Sequence, residues 1–145
     1  MSVSRHFVLA AGGTGGHMVP AHAVAEELMQ RGHHVALVTD ERGAKIPGLF
    51  NDVAVHVLPA GRMQGGPMGW IRGLRAIREG REMARRMYGT FRPSVVCGFG
   101  GYPALPALLA ALKEDIPTAV HEQNAVLGRV NRLLAHRVNA IATAY

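Results

Sequence analysis

The run Val8-Leu9-Ala10-Ala11-Gly12-Gly13-Thr14-Gly15-Gly16-His17 leads an apolar stretch straight into a cluster of glycines closed by a histidine. Residues of these types suit an anion. Glycines let backbone N–H groups approach a ligand closely, and a helix opening behind them adds partial positive charge, so a phosphate or diphosphate is the natural guest. Two familiar nucleotide motifs do not fit. The P-loop ends in Gly-Lys-Ser/Thr, which is missing, and the dinucleotide fingerprint Gly-x-Gly-x-x-Gly, started at Gly13, meets Gly15 and then Met18 where its third glycine belongs. Asp40 stands where that family places a ribose-binding acid, which keeps a dinucleotide-binding oxidoreductase domain as an alternative. A plain tight turn is the other reading of such a loop.

A second cluster, Gly98-Phe99-Gly100-Gly101-Tyr102-Pro103, again separates an apolar run from a helical pattern. Loops at the carboxyl ends of parallel strands fall on one edge of the sheet, where open α/β folds bind their ligands. Together the two loops could grip a diphosphate from two sides. The polar tetrapeptide His121-Glu122-Gln123-Asn124 follows a third apolar run on the same edge. Packing explains so many hydrogen-bonding groups at one strand end poorly, because a buried Glu or Asn needs partners.

These loops require a scaffold of short apolar runs alternating with helical segments, the pattern of a parallel sheet covered by helices. Strands are predicted at His6–Ala10, Val35–Thr39, Val53–Leu58, Ser94–Gly98, Thr118–His121 and Val138–Thr143, and their valine-rich continuity suits burial on both faces. Helices are predicted at Pro20–Arg31, Trp70–Tyr88, Pro103–Lys113 and Leu127–His136, with Gly32 stopping the first and Pro93 and Pro117 preceding two strands. The fold class is therefore α/β, a Rossmann-like parallel sheet with helices on both faces. At 145 residues one domain is expected, and the end at Tyr145 just after an apolar run reads as a cut domain.

Composition narrows the partners. The 48% hydrophobic and 18% charged content is that of a folded globular chain. No segment reaches the length of a membrane span and the N-terminus lacks a secretory layout, so a cytoplasmic protein is expected. Cys97, the single cysteine, sits in an apolar run and reads as a small buried hydrophobe. His33, His34, His56 and His136 lack ligand spacing, so no metal site is expected. No cofactor is expected either. The net charge of +6 points to an anionic partner, and most of it lies between Trp70 and Arg92, where seven arginines face only Glu79 and Glu82. On a helical projection Trp70, Leu74, Ile77, Ala84 and Tyr88 share one side, while Arg72, Arg75, Arg78, Arg85 and Arg86 spread over the other. Arg81 interrupts the apolar side, and Gly73 and Gly80 weaken the helix. A basic amphipathic helix suits an anionic membrane surface, with Trp70, Leu74, Ile77, Arg75 and Arg78 as the contacts. No aromatic platform interleaves the arginines, so nucleic acid is not expected.

The runs GGTGGHMVPA, GFGGYPALPALLAA and HEQNAVLGRVNRLLA resemble, in order and approximate spacing, three motifs of the N-terminal domain of the MurG family of glycosyltransferases. The likeness spans essentially the whole chain. It implies the N-terminal, acceptor-binding half (residues 1–145) of a two-domain GT-B enzyme whose C-terminal, donor-binding half is absent. The implied reaction transfers N-acetylglucosamine, with inversion, from UDP-N-acetylglucosamine to undecaprenyl-diphosphate-linked N-acetylmuramyl-pentapeptide in peptidoglycan synthesis. A peripheral location on the cytoplasmic face of the bacterial inner membrane comes with it. By the same resemblance Thr14, Gly15 and Gly16 belong to the donor-facing loop that His17 closes, Asn124 meets the donor sugar, and Gly100, Gly101 and Tyr102 belong to the other diphosphate-contacting turn; Gly12 and Gly13, ahead in the same glycine run, are further substrate-binding candidates. Asp40-Glu41-Arg42-Gly43 departs from the family's usual glycine-threonine start of the loop after the second strand, as Met18-Val19 departs from the aromatic common ahead of the proline.

Attack by an acceptor hydroxyl needs a general base, and His17, with an ordinary imidazole pKa of about 6.5, and Glu122 are the candidates. For His17, binding a phosphate oxygen is an equal alternative. His121 reads as structural. A non-catalytic, membrane-recruiting subunit of a split glycosyltransferase is the remaining alternative.

Overall fold

The computed structural model describes residues 3–59 and 64–145. Its strands are β1 (His6–Ala10), β2 (His34–Thr39), β3 (Ala54–Val57), β4 (Val95–Gly98), β5 (Thr118–Glu122) and β6 (Ala140–Thr143). They form one parallel sheet in the order β3-β2-β1-β4-β5-β6. This is the Rossmann-like order, and the direction of winding reverses between β1 and β4, opening a crevice at their carboxyl ends. The helices are α1 (Gly15–Gln30), α2 (Glu41–Ala44), α3 (Gly66–Thr90), α4 (Ala104–Lys113) and α5 (Arg129–Leu134).

Alternation along the central strands divides the core. Val8, Ala10, Val38, Val96 and Val120 face α3, α4 and α5, whereas Leu9, Ala11 and Leu37 face Met18, Ala21 and Ala25 of α1. Val8, Leu9, Val38, Val96 and Val120 are at most 1% exposed, and each such side chain contributes about 1.5–3 kcal/mol of burial energy. The edges differ from the expectation of burial on both faces. Val55 and Val57 of β3 are about two-fifths exposed and Ile141 of β6 about half, because each edge strand has a neighbour on one side only among the described residues.

Helix α1 begins at Gly15, five residues before the expected start at Pro20. Pro20 therefore lies inside it and cannot donate to the Gly16 carbonyl, a loss offset by burial of Met18, Ala21 and Ala25 on the sheet. Gly16 and His17 thus belong to the first turn of a helix. Helix α2 was not expected; the Asp40 carboxylate caps it by accepting the Gly43 N–H at 2.8 Å.

Helix α3 runs longer than expected, and Gly73, Ile77, Gly80, Ala84 and Tyr88 form its buried line. Gly80 is a packing residue as well as a weak helix former, since a Cβ there would collide with the Pro59 carbonyl and lie 3.0 Å from Pro106 Cβ. The Tyr88 hydroxyl donates to the Ala107 carbonyl at 3.0 Å, and Arg85 bonds Glu114 at 2.7 Å, tying α3 to α4 and its C-terminal end. Arg85 is therefore a tether rather than part of a free basic face. Ile77 is 7% exposed and packed in the core, which corrects its assignment as a membrane contact.

Candidate active site

The two glycine loops meet at the β1–β4 crevice. The Gly12 N–H donates to the Gly100 carbonyl at 2.8 Å, and a Cβ on Gly101 would lie 2.5 Å from Gly12 Cα. Backbone touches backbone, so side chains are excluded at both positions. Gly100 and Gly101 also have φ of +101° and +87°, in the left-handed region that favours glycine. The glycines at 12, 13, 100 and 101 thus serve loop-to-loop packing, with Gly13 fitting against the Asp40–Gly43 turn. Gly15 and Gly16 differ. A Cβ at Gly15 would meet nothing within 4 Å, one at Gly16 only the Thr14 hydroxyl at 3.9 Å, and their N–H groups have no partner among the described residues. They leave the first turn of α1 open to an anion.

The His17 ring is wedged between the loops. Its Nδ1 shares a hydrogen bond with the Thr14 hydroxyl at 3.0 Å, and a Cβ on Gly100 would stand 3.0 Å from Nε2. Nε2 itself has no partner among the described residues. Partial burial holds the imidazole pKa below its ordinary 6.5, against an opposing pull from the Glu122 carboxylate. The ring is consequently neutral at neutral pH and able to accept a proton.

Glu122 is built in a different way. Its side chain is 3% exposed at the end of β5 and accepts from Gly128 N–H at 2.6 Å, Asn131 Nδ2 at 3.1 Å, Asn124 Nδ2 at 3.1 Å and Asn124 N–H at 3.3 Å. Burial raises its pKa, but these donors together outweigh burial and bring it below the ordinary value. A carboxylate so fully engaged anchors the β5–α5 loop and has little capacity left for a substrate proton, which disfavours it as a base.

Gly12, Gly13, Thr14, His17, Gly100, Gly101, Tyr102, Glu122 and Asn124 line one cleft of about 330 Å³, bringing together most of the residues singled out in the sequence. Gly15 and Gly16 stand just outside it, exposed at the start of α1. Arg42, Gln64, Arg129 and Asn131 also line the cleft and were not anticipated. Asn131 was discoverable: it is the one polar residue of the helix line Val130, Asn131, Leu134, and it is 1% exposed. Asp40, the proposed ribose acid, is occupied as the α2 cap. Trp70 and Leu74 are 53% and 57% exposed, beside Met68 and Ile71 at 63% and 51%, with Arg75 and Arg78 also exposed. Gln64 of the cleft precedes α3 by two residues, so the helix that carries this patch starts beside the cleft. No helix among the described residues is long and apolar enough to cross a membrane, and none of their His, Cys, Asp and Glu side chains group as a metal site.

Residues 7–143 match the glycosyltransferase family 28 N-terminal domain. The chain belongs to this family. Within family 28 it is 68% identical over 98% of its length to a protein of Erythrobacter litoralis, and 69% identical over 99% to one of Novosphingobium aromaticivorans. Both are named UDP-N-acetylglucosamine–N-acetylmuramyl-(pentapeptide) pyrophosphoryl-undecaprenol N-acetylglucosamine transferase. The chain spans 36% and 37% of the length of these relatives. Its fold matches the crystal structure of Acinetobacter baumannii MurG with a TM-score of 0.84 at 32% identity, over 97% of this chain and 42% of that one. The calicheamicin glycosyltransferase CalG4 shares the fold at 19% identity with a TM-score of 0.61, over 93% of this chain and 36% of that one. Membership of family 28 removes the dinucleotide-dependent oxidoreductase alternative.

Proposed function

We propose that this chain is the acceptor-binding half of an inverting N-acetylglucosaminyltransferase. The donor is UDP-N-acetylglucosamine and the acceptor is N-acetylmuramyl-pentapeptide linked through a diphosphate to undecaprenol. The observation that carries the reading is the His17 ring, neutral and wedged between two interlocked glycine loops with Nε2 unpartnered, in a chain so similar to transferases of that name.

In the reaction an acceptor hydroxyl oxygen attacks the anomeric carbon of the donor sugar. A carbon–oxygen bond forms on one face while the bond to UDP breaks on the other, and UDP leaves with the electron pair. The hydroxyl proton passes to His17 Nε2, while Thr14 at Nδ1 fixes the ring. The open first turn of α1 and the adjoining glycine loop take diphosphate charge. Asn124, held by Glu122, and Tyr102 orient the sugars. The donor's uridine binds on a second half, outside this chain.

The acceptor's lipid tail places the reaction at a membrane surface, on the cytoplasmic face of the bacterial inner membrane. The exposed set Met68, Trp70, Ile71 and Leu74, flanked by Arg75 and Arg78, meets that surface peripherally. Helix α3 starts two residues after Gln64 of the cleft, which keeps a surface-held diphosphate near the glycine loops.

The test joins this chain to the remaining C-terminal part of the Erythrobacter litoralis relative and compares the chimera with its His17→Ala variant. Loss of a general base lowers turnover on the order of 100-fold or more. Turnover in the variant within a few-fold of the parent, at unchanged thermal melting, removes His17 from the chemistry.

A further inference from the structure

Two cations line the cleft beside the glycine loops, Arg42 and Arg129. Arg42 lies on α2, after β2, and Arg129 opens α5, after β5. In the sheet order these strands flank β1 and β4, so the two arginines enter the cleft from opposite sides of the glycine loops. Three strand spacings of about 4.8 Å separate the strand ends they follow, a gap of about 14 Å that two long side chains turned inward can close.

Neither cation is held in a close ion pair. Arg129 has no carboxylate partner among the described residues. Arg42 approaches only Asp40 Oδ2, at 3.5 Å, with its side chain 59% exposed, while the other Asp40 oxygen is held by the Gly43 N–H. A guanidinium has five N–H donors, so Arg42 keeps most of its capacity. The base of its side chain packs against the glycine loop, its Cβ standing 2.7 Å from where a Cβ on Gly13 would go, and from there the guanidinium reaches toward the cleft. The cleft's own carboxylate, Glu122, spends its oxygens on Asn124, Gly128 and Asn131 rather than on either arginine.

We infer that Arg42 and Arg129 form a two-sided clamp for a sugar-linked diphosphate diester, one guanidinium on each flank of the glycine loops. Two positive charges match the two negative charges of such a diester, and guanidinium geometry suits paired bonds to phosphate oxygens. A further pointer to a ligand in this cleft is Asn131, 1% exposed, whose Oδ1 has no partner while its Nδ2 holds His121 O and Glu122. The clamp deepens the proposed function and rests on its assignment of this cleft. Two sources share the chemistry, the lipid-linked acceptor and the nucleotide-sugar donor, and titration tells them apart.

The experiment is calorimetric titration of the 145-residue chain with two soluble probes, UDP-N-acetylglucosamine and a short-prenyl-chain diphosphate-linked N-acetylmuramyl-pentapeptide. Chains carrying Arg42→Ala, Arg129→Ala, both together, and Arg31→Ala are compared. Arg31 pairs with Glu27 at the far end of α1 and controls for net charge. Each clamp substitution weakens binding of the diester probe about tenfold, about 1.4 kcal/mol, and the pair about 100-fold, with melting temperature unchanged. Arg31→Ala leaves binding unaltered. Weakening confined to the prenyl probe assigns the clamp to the acceptor, and weakening confined to the UDP probe assigns it to the donor. Equal binding by the parent and the double variant overturns the clamp, as does an equal loss in Arg31→Ala or no binding of either probe by the parent. The readout is independent of transfer: a chimera that binds through the arginines but transfers nothing loses the proposed function and keeps the clamp.

Discussion

Replacing Glu122 with Gln separates an anchor from a base. The carboxylate accepts two bonds on each oxygen, and an amide can present a carbonyl to only one of those pairs. Its NH2 will turn toward Asn124, whose bonds at 3.1 and 3.3 Å are the weaker pair, because the Gly128 bond at 2.6 Å and the buried Asn131 bond are the stronger. Two bonds to a charged group are lost and two donors are left facing a donor. At about 1–1.5 kcal/mol each, discounted because the Asn124 pair is part-buried, the loss is about 2–3 kcal/mol. For a chain of this size that corresponds to a fall in melting temperature of roughly 6–10 °C, read by circular dichroism at pH 7. The pH dependence supplies a second reading. The folded pKa of Glu122 is depressed, so its contribution is fully present above the ordinary 4.5 and is lost as pH falls through the lower folded value. The gap between parent and variant should therefore close as the buffer is taken below 4.5. A melting temperature within 2 °C of the parent at pH 7, together with abolished transfer in the chimera, would refute the anchor and restore Glu122 as a base.

Gly101→Ala should destabilise the chain by about 2 kcal/mol or more, because a Cβ would press on Gly12 Cα at a φ of +87°; urea unfolding measures it. In the chimera, kcat/KM should fall on the acid side with an apparent pKa below 6.5, as His17 becomes protonated; a limb at or above 7 would contradict its lowered pKa. Arg75→Glu with Arg78→Glu should weaken sedimentation with anionic vesicles, each arginine being worth roughly 1 kcal/mol near such a surface. Ile77→Ala should instead cost about 2–4 kcal/mol of folding stability and leave vesicle binding of the folded chain unchanged.

The central strands were legible because Val8-Leu9-Ala10 and Val35 to Val38 are apolar at every position, as strands covered on both faces tend to be. The same rule overreached at β3 and β6, where valine and isoleucine occupy exposed edges. The glycine loops could be read from composition, but not the division of labour within them. Which glycines pack on the other loop and which stay open depends on contacts between residues such as Gly12 and Gly101, far apart in the chain. Ile77 illustrates the limit of a helical projection. The projection put it on one side with Trp70 and Leu74, but only tertiary packing decides that α4 and the sheet cover Ile77 and leave the other two at the surface. Arg42 was passed over as a family departure because its role depends on α2, a helix of four residues too short to have a periodicity.

The most direct test follows labelled N-acetylglucosamine from UDP-N-acetylglucosamine into solvent-extractable lipid. The 145-residue chain and its chimera with the Erythrobacter litoralis C-terminal part are assayed with and without the lipid-linked acceptor. The expected result is acceptor-dependent incorporation by the chimera and none by the chain alone. Sustained incorporation by the chain alone, or a folded chimera that transfers nothing, would contradict its assignment as the acceptor half of a two-part transferase.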